Sequence, residues 1–264
     1  MPTLALDGTD LYYEDDGAGA PVLLVHGMGL DARMWIDQVE ALDSECRMIR
    51  PDLRGFGRSP RDPLIPYSHA DDLVALLDHL GIDEVVLVGL SMGGMVALEL
   101  VLAHPDRIRS LVLLDSVIDE VPFDPDIAAD YGKVRPAMAS EGIAAARRNF
   151  LACGWFGPAR RDPCVAARLH AMVDGYGGSD WAGDDPHTES GPVYQRLGEL
   201  DLPTTVVAGE LDVPSFLEMA RLMSQQIPHA RHVVIPDSGH MVNMEAPEAV
   251  NALLHEVVSG SFDG

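Results

Sequence analysis

The sequence predicts an α/β fold in which a doubly wound, mostly parallel sheet is covered by helices on both faces. Short runs made only of apolar residues recur along the chain, as expected for strands that are buried on both faces. Segments with helical periodicity lie between these runs, and strands that alternate with helices indicate a parallel sheet. The chain has 264 residues, 47% of them hydrophobic, which is enough for a full core.

Eight strands are predicted in chain order. The first two form a hairpin around a turn at Asp7-Gly8. The other six are apolar runs, of which residues 47–49 and 232–235 are the weaker members and the clearer ones are residues 22–25, 85–88, 111–114 and 205–208. The helical periodicity predicts helices over residues 71–80, 92–103, 216–227 and 247–258.

The stretch from about Ile118 to Gly198 breaks the alternation because it holds no strand-like run. A connection of this length is uncommon in a compact domain unless it forms a lid or an inserted subdomain. We therefore expect a helical lid between the sixth and seventh strands. It would divide the chain into a first core part (residues 1–117), the lid (118–198) and a second core part (199–264).

Composition excludes several classes of function. Lys and Arg number 18 against 42 Asp and Glu, so the net charge of −24 opposes binding to nucleic acid and to anionic membranes. No apolar stretch approaches the roughly 18 residues that a spanning helix needs. The three cysteines, Cys46, Cys153 and Cys164, have no metal-binding or disulfide spacing. The first residues lack the features of a secretion signal, and we expect a cytoplasmic protein.

The sharpest motif is Gly89-Leu90-Ser91-Met92-Gly93, which follows an apolar run and opens a helical segment. A serine on so tight a turn needs small residues on both sides, because a Cβ atom there would collide with neighbouring backbone. The turn pushes the hydroxyl of Ser91 out at the carboxyl edge of the sheet, near the positive end of the helix. This motif predicts a nucleophilic serine.

With this motif the chain resembles the α/β-hydrolase superfamily over nearly its whole length, and the fold expected is the α/β-hydrolase fold. The other segments that carry the resemblance occur in the superfamily's order after their strands: His26-Gly27-Met28-Gly29, Asp52-Leu53-Arg54-Gly55-Phe56-Gly57-Arg58-Ser59, Gly209-Glu210-Leu211-Asp212 and Ser238-Gly239-His240. The order Ser, Asp, His along the chain is also that of the superfamily.

The resemblance implies a role for each of these residues. Ser91 would be the nucleophile, His240 its general base, and Asp212 the acid that orients the histidine. The backbone N–H groups of Met28 and Met92 would form the oxyanion hole. Asp115, which ends the run 111–114, is an alternative position for the acid. His26 is expected to orient the oxyanion loop, and Asp52, Arg54 and Ser59 to bond one another in a structural turn.

The predicted lid should determine the choice of substrate. Trp155, Phe156 and Trp181, together with Met241, are the candidates for the substrate pocket. Seven basic residues lie between Lys133 and Arg168, and they form either a solvated face or a site for a substrate carboxylate. The acidic residues Asp174, Asp180, Asp184 and Asp185 lack the spacing of a calcium loop, so we expect no metal site and no cofactor.

A serine at position 91 argues against dehalogenases of this fold, which place aspartate there. The length and the compact His-Gly-x-Gly loop look most like small-ester and lactone hydrolases, including the enol-lactonase branch. We therefore expect a serine hydrolase acting on a small-molecule ester or lactone. Carbon–carbon bond hydrolases, perhydrolases and a weakly catalytic ligand-binding receptor stay open, and so does a homodimer.

Overall fold

The chain folds around a single eight-stranded sheet, as a computed structural model of residues 2–183, 185–188 and 191–260 shows. The strand order across the sheet is β1-β2-β4-β3-β5-β6-β7-β8. The strands are β1 (Thr3–Leu6), β2 (Thr9–Gly17), β3 (Ala20–Val25), β4 (Cys46–Pro51), β5 (Val85–Leu90), β6 (Ile108–Leu114), β7 (Thr204–Gly209) and β8 (Arg231–Ile235).

The sheet is mostly parallel, which confirms the predicted fold class. Only β1 with β2 and β2 with β4 pair in antiparallel fashion, and the remaining neighbours pair in parallel. From β3 the chain moves outward to β4 on one side, and it then returns to place β5 on the other side. Such a reversal opens a crevice at the carboxyl ends of the strands, where ligands bind in sheets of this kind.

Helices flank the sheet between successive strands. Helix α3 is buried on nearly all sides because it packs against both α2 and β5, which explains why its sequence is apolar all round. The helices are α1 (Ile36–Leu42), α2 (His69–His79), α3 (Met92–Ala103), α4 (Pro125–Tyr131), α5 (Val134–Glu141), α6 (Ile143–Ala152), α7 (Pro163–Gly175), α8 (Pro214–Gln226), α9 (Val242–Glu245) and α10 (Pro247–Ser259).

Residues 118–198, here called the helical segment, connect β6 to β7 and contain helices α4 to α7. Its described residues form no strand, apart from a single bridge between His187 and Tyr67. The three-part division of the chain stays a prediction. The ends of the predicted parts at Met1 and at residues 261–264, and Asp184 in the acidic run, lie outside the described residues.

The sequence predicts the last strand as one of a set of fully buried strands, but most of its residues are not buried. β8 lies at the edge of the sheet and pairs only with β7, and Val234 is 50% exposed. A four-residue apolar run cannot distinguish an edge strand from a central one, because both are extended and contain β-branched residues. Of the helices described, none is both long and apolar enough to cross a membrane.

Candidate active site

Ser91 occupies a sharp turn between β5 and α3. Its backbone has φ 56° and ψ −119°, a conformation that side-chain-bearing residues rarely adopt. A Cβ atom at Gly89 would lie 2.2 Å from the carbonyl oxygen of Gly93, and one at Gly93 would lie 2.2 Å from that of Val25. Both glycines are therefore required by close backbone approach, which is the physical reason that the motif predicted.

The backbone of Ser91 is also tied to the strand beside it. Its N–H donates to the carbonyl of Leu114 at 2.9 Å, and its carbonyl accepts from the N–H of Val117 at 3.2 Å. These two residues lie at the end of β6 and just beyond it. The position of Ser91 is thus fixed by β5, by α3 and by the residues at and just after the end of β6.

Ser91, His240 and Asp212 form one chain of hydrogen bonds. The Oγ atom of Ser91 lies 3.0 Å from Nε2 of His240, and Nδ1 of His240 lies 2.9 Å from Oδ2 of Asp212. All three side chains are buried. With Nδ1 donating to the carboxylate, Nε2 is free to accept the serine proton, which is the arrangement a general base requires.

The loops that carry the acid and the histidine are held by backbone contacts. The second oxygen of Asp212, Oδ1, accepts the N–H of Val213 at 2.7 Å. The two carboxylate oxygens of Glu245 accept the N–H groups of Met241 and Gly239 at 3.0 and 2.9 Å. Glu245 therefore clamps the turn that contains His240, and burial raises the pKa of its carboxyl.

Asp115, the alternative acid, does not contact the histidine in the structure. His240 bonds to Asp212, whereas Oδ1 of Asp115 accepts the N–H of Gly209 at 2.8 Å. Asp115 is fully buried, and burial and the neighbouring Asp212 raise the pKa of its carboxyl well above the usual range. The geometry favours Asp212 as the residue that orients His240.

His26 holds the loop that follows β3. Its Nε2 accepts the N–H of Leu53, and its Nδ1 lies 2.9 Å from the carbonyl oxygen of Gly27, to which it donates. Burial lowers the pKa of this ring, so it stays neutral and can accept through Nε2. Met28 is thereby positioned beside Ser91, and Met92 begins α3, whose first N–H groups have no partner within the helix.

The Asp52–Ser59 loop is held by hydrogen bonds within it and to neighbouring segments. Oδ1 and Oδ2 of Asp52 accept the N–H groups of Ala32 and Arg58, both at 2.8 Å. Ser59 donates to the carbonyl of Asp52, as expected. Arg54 departs from the expectation, since its guanidinium forms a buried bidentate pair with Asp72 of α2. None of these side chains lines the cavity described next, so the loop acts as a structural support.

An apolar cavity of about 160 Å³ opens beside Ser91 and His240. Three of the predicted pocket residues, Trp155, Phe156 and Met241, line it. The fourth does not, and this expectation needs correction. Trp181 packs behind the wall and is buried there by aromatic neighbours, with its ring 5.1 Å from that of Phe150 and 4.8 Å from that of Tyr176.

Sequence reasoning missed most of the cavity wall. Phe216 carried a signal that could have been used, since it lies one turn beyond Asp212 and its ring centre is 4.0 Å from that of His240. The other missed residues come from helices and turns whose inward face no local pattern reveals. The lining residues that were not singled out are Leu30, Leu90, Met95, Val117, Asp119, Phe123, Tyr131, Phe150 and Phe216.

The basic residues of the helical segment lie away from the cavity. Within the described chain none of the seven lines it, and most bind carbonyl oxygens or acids nearby. Arg147 donates to the carbonyl of Tyr176, Arg160 to that of Leu151, and Arg168 pairs with Asp37. The structure therefore favours a structural face over a site for a substrate carboxylate. Among the residues described, no cluster of three or more His, Cys, Asp or Glu could hold a metal ion.

Comparison with known proteins adds independent information. The family model described as "Alpha/beta hydrolase family" matches residues 22–253. A thermophilic esterase from Thermogutta terrifontis is 34% identical with a TM-score of 0.78, covering 98% of this chain and 96% of its own. The enol-lactonase from Burkholderia xenovorans LB400 is 26% identical with a TM-score of 0.79, covering 98% of this chain and 100% of its own. A relative from Azorhizobium caulinodans, named as a carbamate hydrolase, RutD, is 30% identical over 96% of this chain and 97% of its own.

Proposed function

The chain belongs to the alpha/beta hydrolase family, and on that premise we propose that it is a serine hydrolase that cleaves carboxylic esters or lactones. The observation that carries the proposal is the hydrogen-bonded chain of Ser91, His240 and Asp212 at the wall of an apolar cavity. The similarity to an esterase and to an enol-lactonase supports the same class of substrate.

In the proposed first step, Oγ of Ser91 attacks the ester carbonyl carbon while Nε2 of His240 accepts the hydroxyl proton. Asp212 stabilises the imidazolium that forms. The negative charge moves to the carbonyl oxygen, which would be held by the N–H groups of Met28 and Met92. When the intermediate collapses, His240 gives the proton to the leaving alkoxide, and the acyl group stays on Ser91.

In the proposed second step, water replaces the alcohol. His240 takes a proton from the water as it attacks the acyl carbon, and the same charge develops on the carbonyl oxygen. Collapse returns the proton to Oγ of Ser91 and releases the carboxylic acid. A lactone gives the hydroxy acid by the same two steps, because its leaving alkoxide remains part of the acyl group.

The cavity indicates a small apolar acyl group. A cavity of about 150 Å³ lined by apolar side chains holds a molecule as large as benzene, and this one measures about 160 Å³. Its wall is mainly aromatic and methionine side chains, with Asp119 as its one acidic residue among those described. We propose that neutral esters with short acyl chains fit best, and that the helical segment covers them as a lid.

The test is hydrolysis of p-nitrophenyl esters from C2 to C12 and of a panel of small lactones. Ser91→Ala should lower kcat by about 10⁶-fold, as removal of the nucleophile does in other serine hydrolases. Ser44→Ala, at an exposed turn far from the cavity, serves as the matched control and should keep the wild-type rate. Equal unfolding curves for the three proteins would show that the loss is chemical.

Two outcomes would contradict the proposal. Full activity in folded Ser91→Ala would exclude this serine as the nucleophile. A folded wild type that turns over no member of either panel would exclude ester and lactone hydrolysis. Cleavage of a carbon–carbon bond, perhydrolysis, or saturable ligand binding without turnover would then be measured in place of hydrolysis.

A further inference from the structure

A second carboxyl lies buried beside the acid of the proposed triad, and the mechanism above does not use it. Asp115 directly follows β6, and its side chain is fully buried. Its N–H donates to the carbonyl of Val207 at 2.9 Å, which places it between the ends of β6 and β7. Asp212 lies on the loop that leaves β7.

The two oxygens of Asp115 differ in their partners. Oδ1 accepts the N–H of Gly209 at 2.8 Å. Oδ2 is buried, and no N–H or O–H group of the described residues donates to it. The carboxyl of Asp212 is close enough to interact with the side chain of Asp115. Because both are oxygen acceptors, this contact is favourable only when one of the two carboxyls carries a proton.

The hydrogen bonds of Asp212 indicate that it is not the carboxyl that carries this proton. Its Oδ1 accepts the N–H of Val213, and its Oδ2 faces the ring nitrogen of His240. Two donors stabilise the charged form of Asp212, whereas Asp115 has one donor and full burial. We propose that Asp115 keeps its carboxyl proton at neutral pH and donates it to Asp212, as a positioning residue of the site.

The surrounding charges agree with this assignment. Two other carboxyls act on Asp115 through their charge: Asp212, on the loop after β7, which bonds His240 through Oδ2, and Glu245, on α9. Both are acidic groups, and each opposes a negative charge on Asp115. Burial first, and then the charge of Asp212, raise the pKa of Asp115 well above its ordinary value. Two adjacent buried carboxylates cannot both ionise without a cation between them.

A protonated Asp115 would have a definite effect on the reaction. Asp212 would present a single negative charge to His240, and a third hydrogen bond would hold its carboxylate plane. The effect on catalysis rests on the proposed function, but the protonation state of Asp115 does not. The two can therefore be tested separately.

The protonation state is measured by infrared spectroscopy of the wild type at about pH 8, where exposed carboxyls are ionised. The expected result is a carbonyl band of an un-ionised carboxylic acid that shifts in D₂O and is absent from Asp115→Asn. A spectrum without such a band, or one that Asp115→Asn leaves unchanged, overturns the proposal. This readout holds even if the wild type hydrolyses no ester.

The kinetic test compares the wild type with Asp115→Asn in the acid limb of the pH profile of kcat/KM, which reports protonation of the free enzyme's base. Asp115→Asn replaces a neutral acid by a neutral amide, so the limb should not move. Were Asp115 ionised, losing its charge would shift the limb to lower pH by about one unit or more, and that shift would overturn the proposal.

A pair of variants separates positioning from mere packing. Asp115→Ala should lower kcat by about 10- to 100-fold, the value of one hydrogen bond to a charged group, with little change in KM. Asp115→Asn should recover most of that loss, since its amide can still donate to Asp212. Equal losses in both variants would contradict the role. If Asp115→Asn does not fold, Asp115→Thr, which keeps a donor and has no titratable group, takes its place in every measurement.

Discussion

The close packing of α3 against the loop after β3 yields a prediction with a calculable size. Gly93→Ala would place a Cβ atom 2.2 Å from the carbonyl oxygen of Val25 and 2.6 Å from that of His26. Real Cβ atoms essentially never come within 3.0 Å of another heavy atom, so the two backbones must separate by about 0.8 Å. Both atoms met are backbone, and no side chain can rotate away.

Two effects on stability oppose each other in this variant. Overpacking costs typically 1–3 kcal/mol, and the upper end applies because backbone atoms are met. Alanine is favoured over glycine within a helix by about 1 kcal/mol. The free energy of unfolding should therefore fall by about 2 kcal/mol, which lowers Tm by roughly 4–8 °C in a chain of this size.

The effect on activity should be larger than the effect on stability. The displacement separates the loop that carries Met28 from the turn that carries Ser91, and a misplacement of about 1 Å can cost about 100-fold in rate. The assay is kcat/KM on a short-chain p-nitrophenyl ester at a temperature well below both melting transitions, beside a thermal unfolding curve.

Gly177→Ala is the matched control for this prediction. A Cβ atom at Gly177 meets no heavy atom within 4 Å, so this variant should keep the wild-type Tm and rate. If Gly93→Ala also kept both, the close contact of α3 with the loop after β3 would be refuted as the constraint at this position.

Three further predictions follow from the site and the core. Asp212→Asn should lower kcat by about 10⁴-fold, because an amide favours the wrong tautomer of His240, as esterase kinetics would show. Trp155→Leu should enlarge the cavity and raise the ratio of C8 to C4 ester hydrolysis by about 10-fold, measured over the ester series. Burial lowers the pKa of His69 well below 6.5, so folding opposes its protonation. The unfolding free energy should therefore fall as pH drops below about 6.5, by up to about 1.4 kcal/mol per unit from this residue, and His69→Phe should reduce that slope in urea titrations.

Each of these three has an outcome that contradicts it. Wild-type kcat in Asp212→Asn would assign the orienting role to another acid. An unchanged chain-length optimum in folded Trp155→Leu would show that this ring does not bound the acyl site. An identical pH dependence of the urea midpoint in wild type and His69→Phe would show that His69 does not bind a proton on unfolding.

The fold and the places of Ser91 and His240 at the ends of their strands could be predicted from the sequence because local chemistry demands them. Gly89 and Gly93 flank Ser91 because their backbones touch neighbouring carbonyl groups, and such a demand leaves a readable motif. His240 lies in the short loop between the last strand, β8, and α9, directly after Ser238 and Gly239. These features depend on residues that are close in sequence, so a sequence motif can reveal them.

The cavity wall could not be predicted to the same degree. Tyr131, Phe150 and Trp181 are aromatic residues of the same segment, yet the first two line the cavity and the third packs behind it. Which ring faces the cavity depends on contacts between residues far apart in sequence, such as Tyr131 with Met28 and Trp181 with Phe150. Similarly, Asp115 and Asp212 both follow strands, and only their hydrogen-bond partners, Gly209 and His240, distinguish them.

The hydrogen bonds between Ser91 and the residues around the end of β6 have a consequence for how this enzyme could be altered. Ser91, Asp212 and His240 lie just after strands of the sheet, and much of the cavity wall belongs to the helical segment. The junction at Leu114 to Val117 connects the two. If the helical segment after Val117 is replaced by that of another hydrolase, the chimaera should therefore acquire the other hydrolase's selectivity. A replacement that begins before Leu114 would also move Ser91.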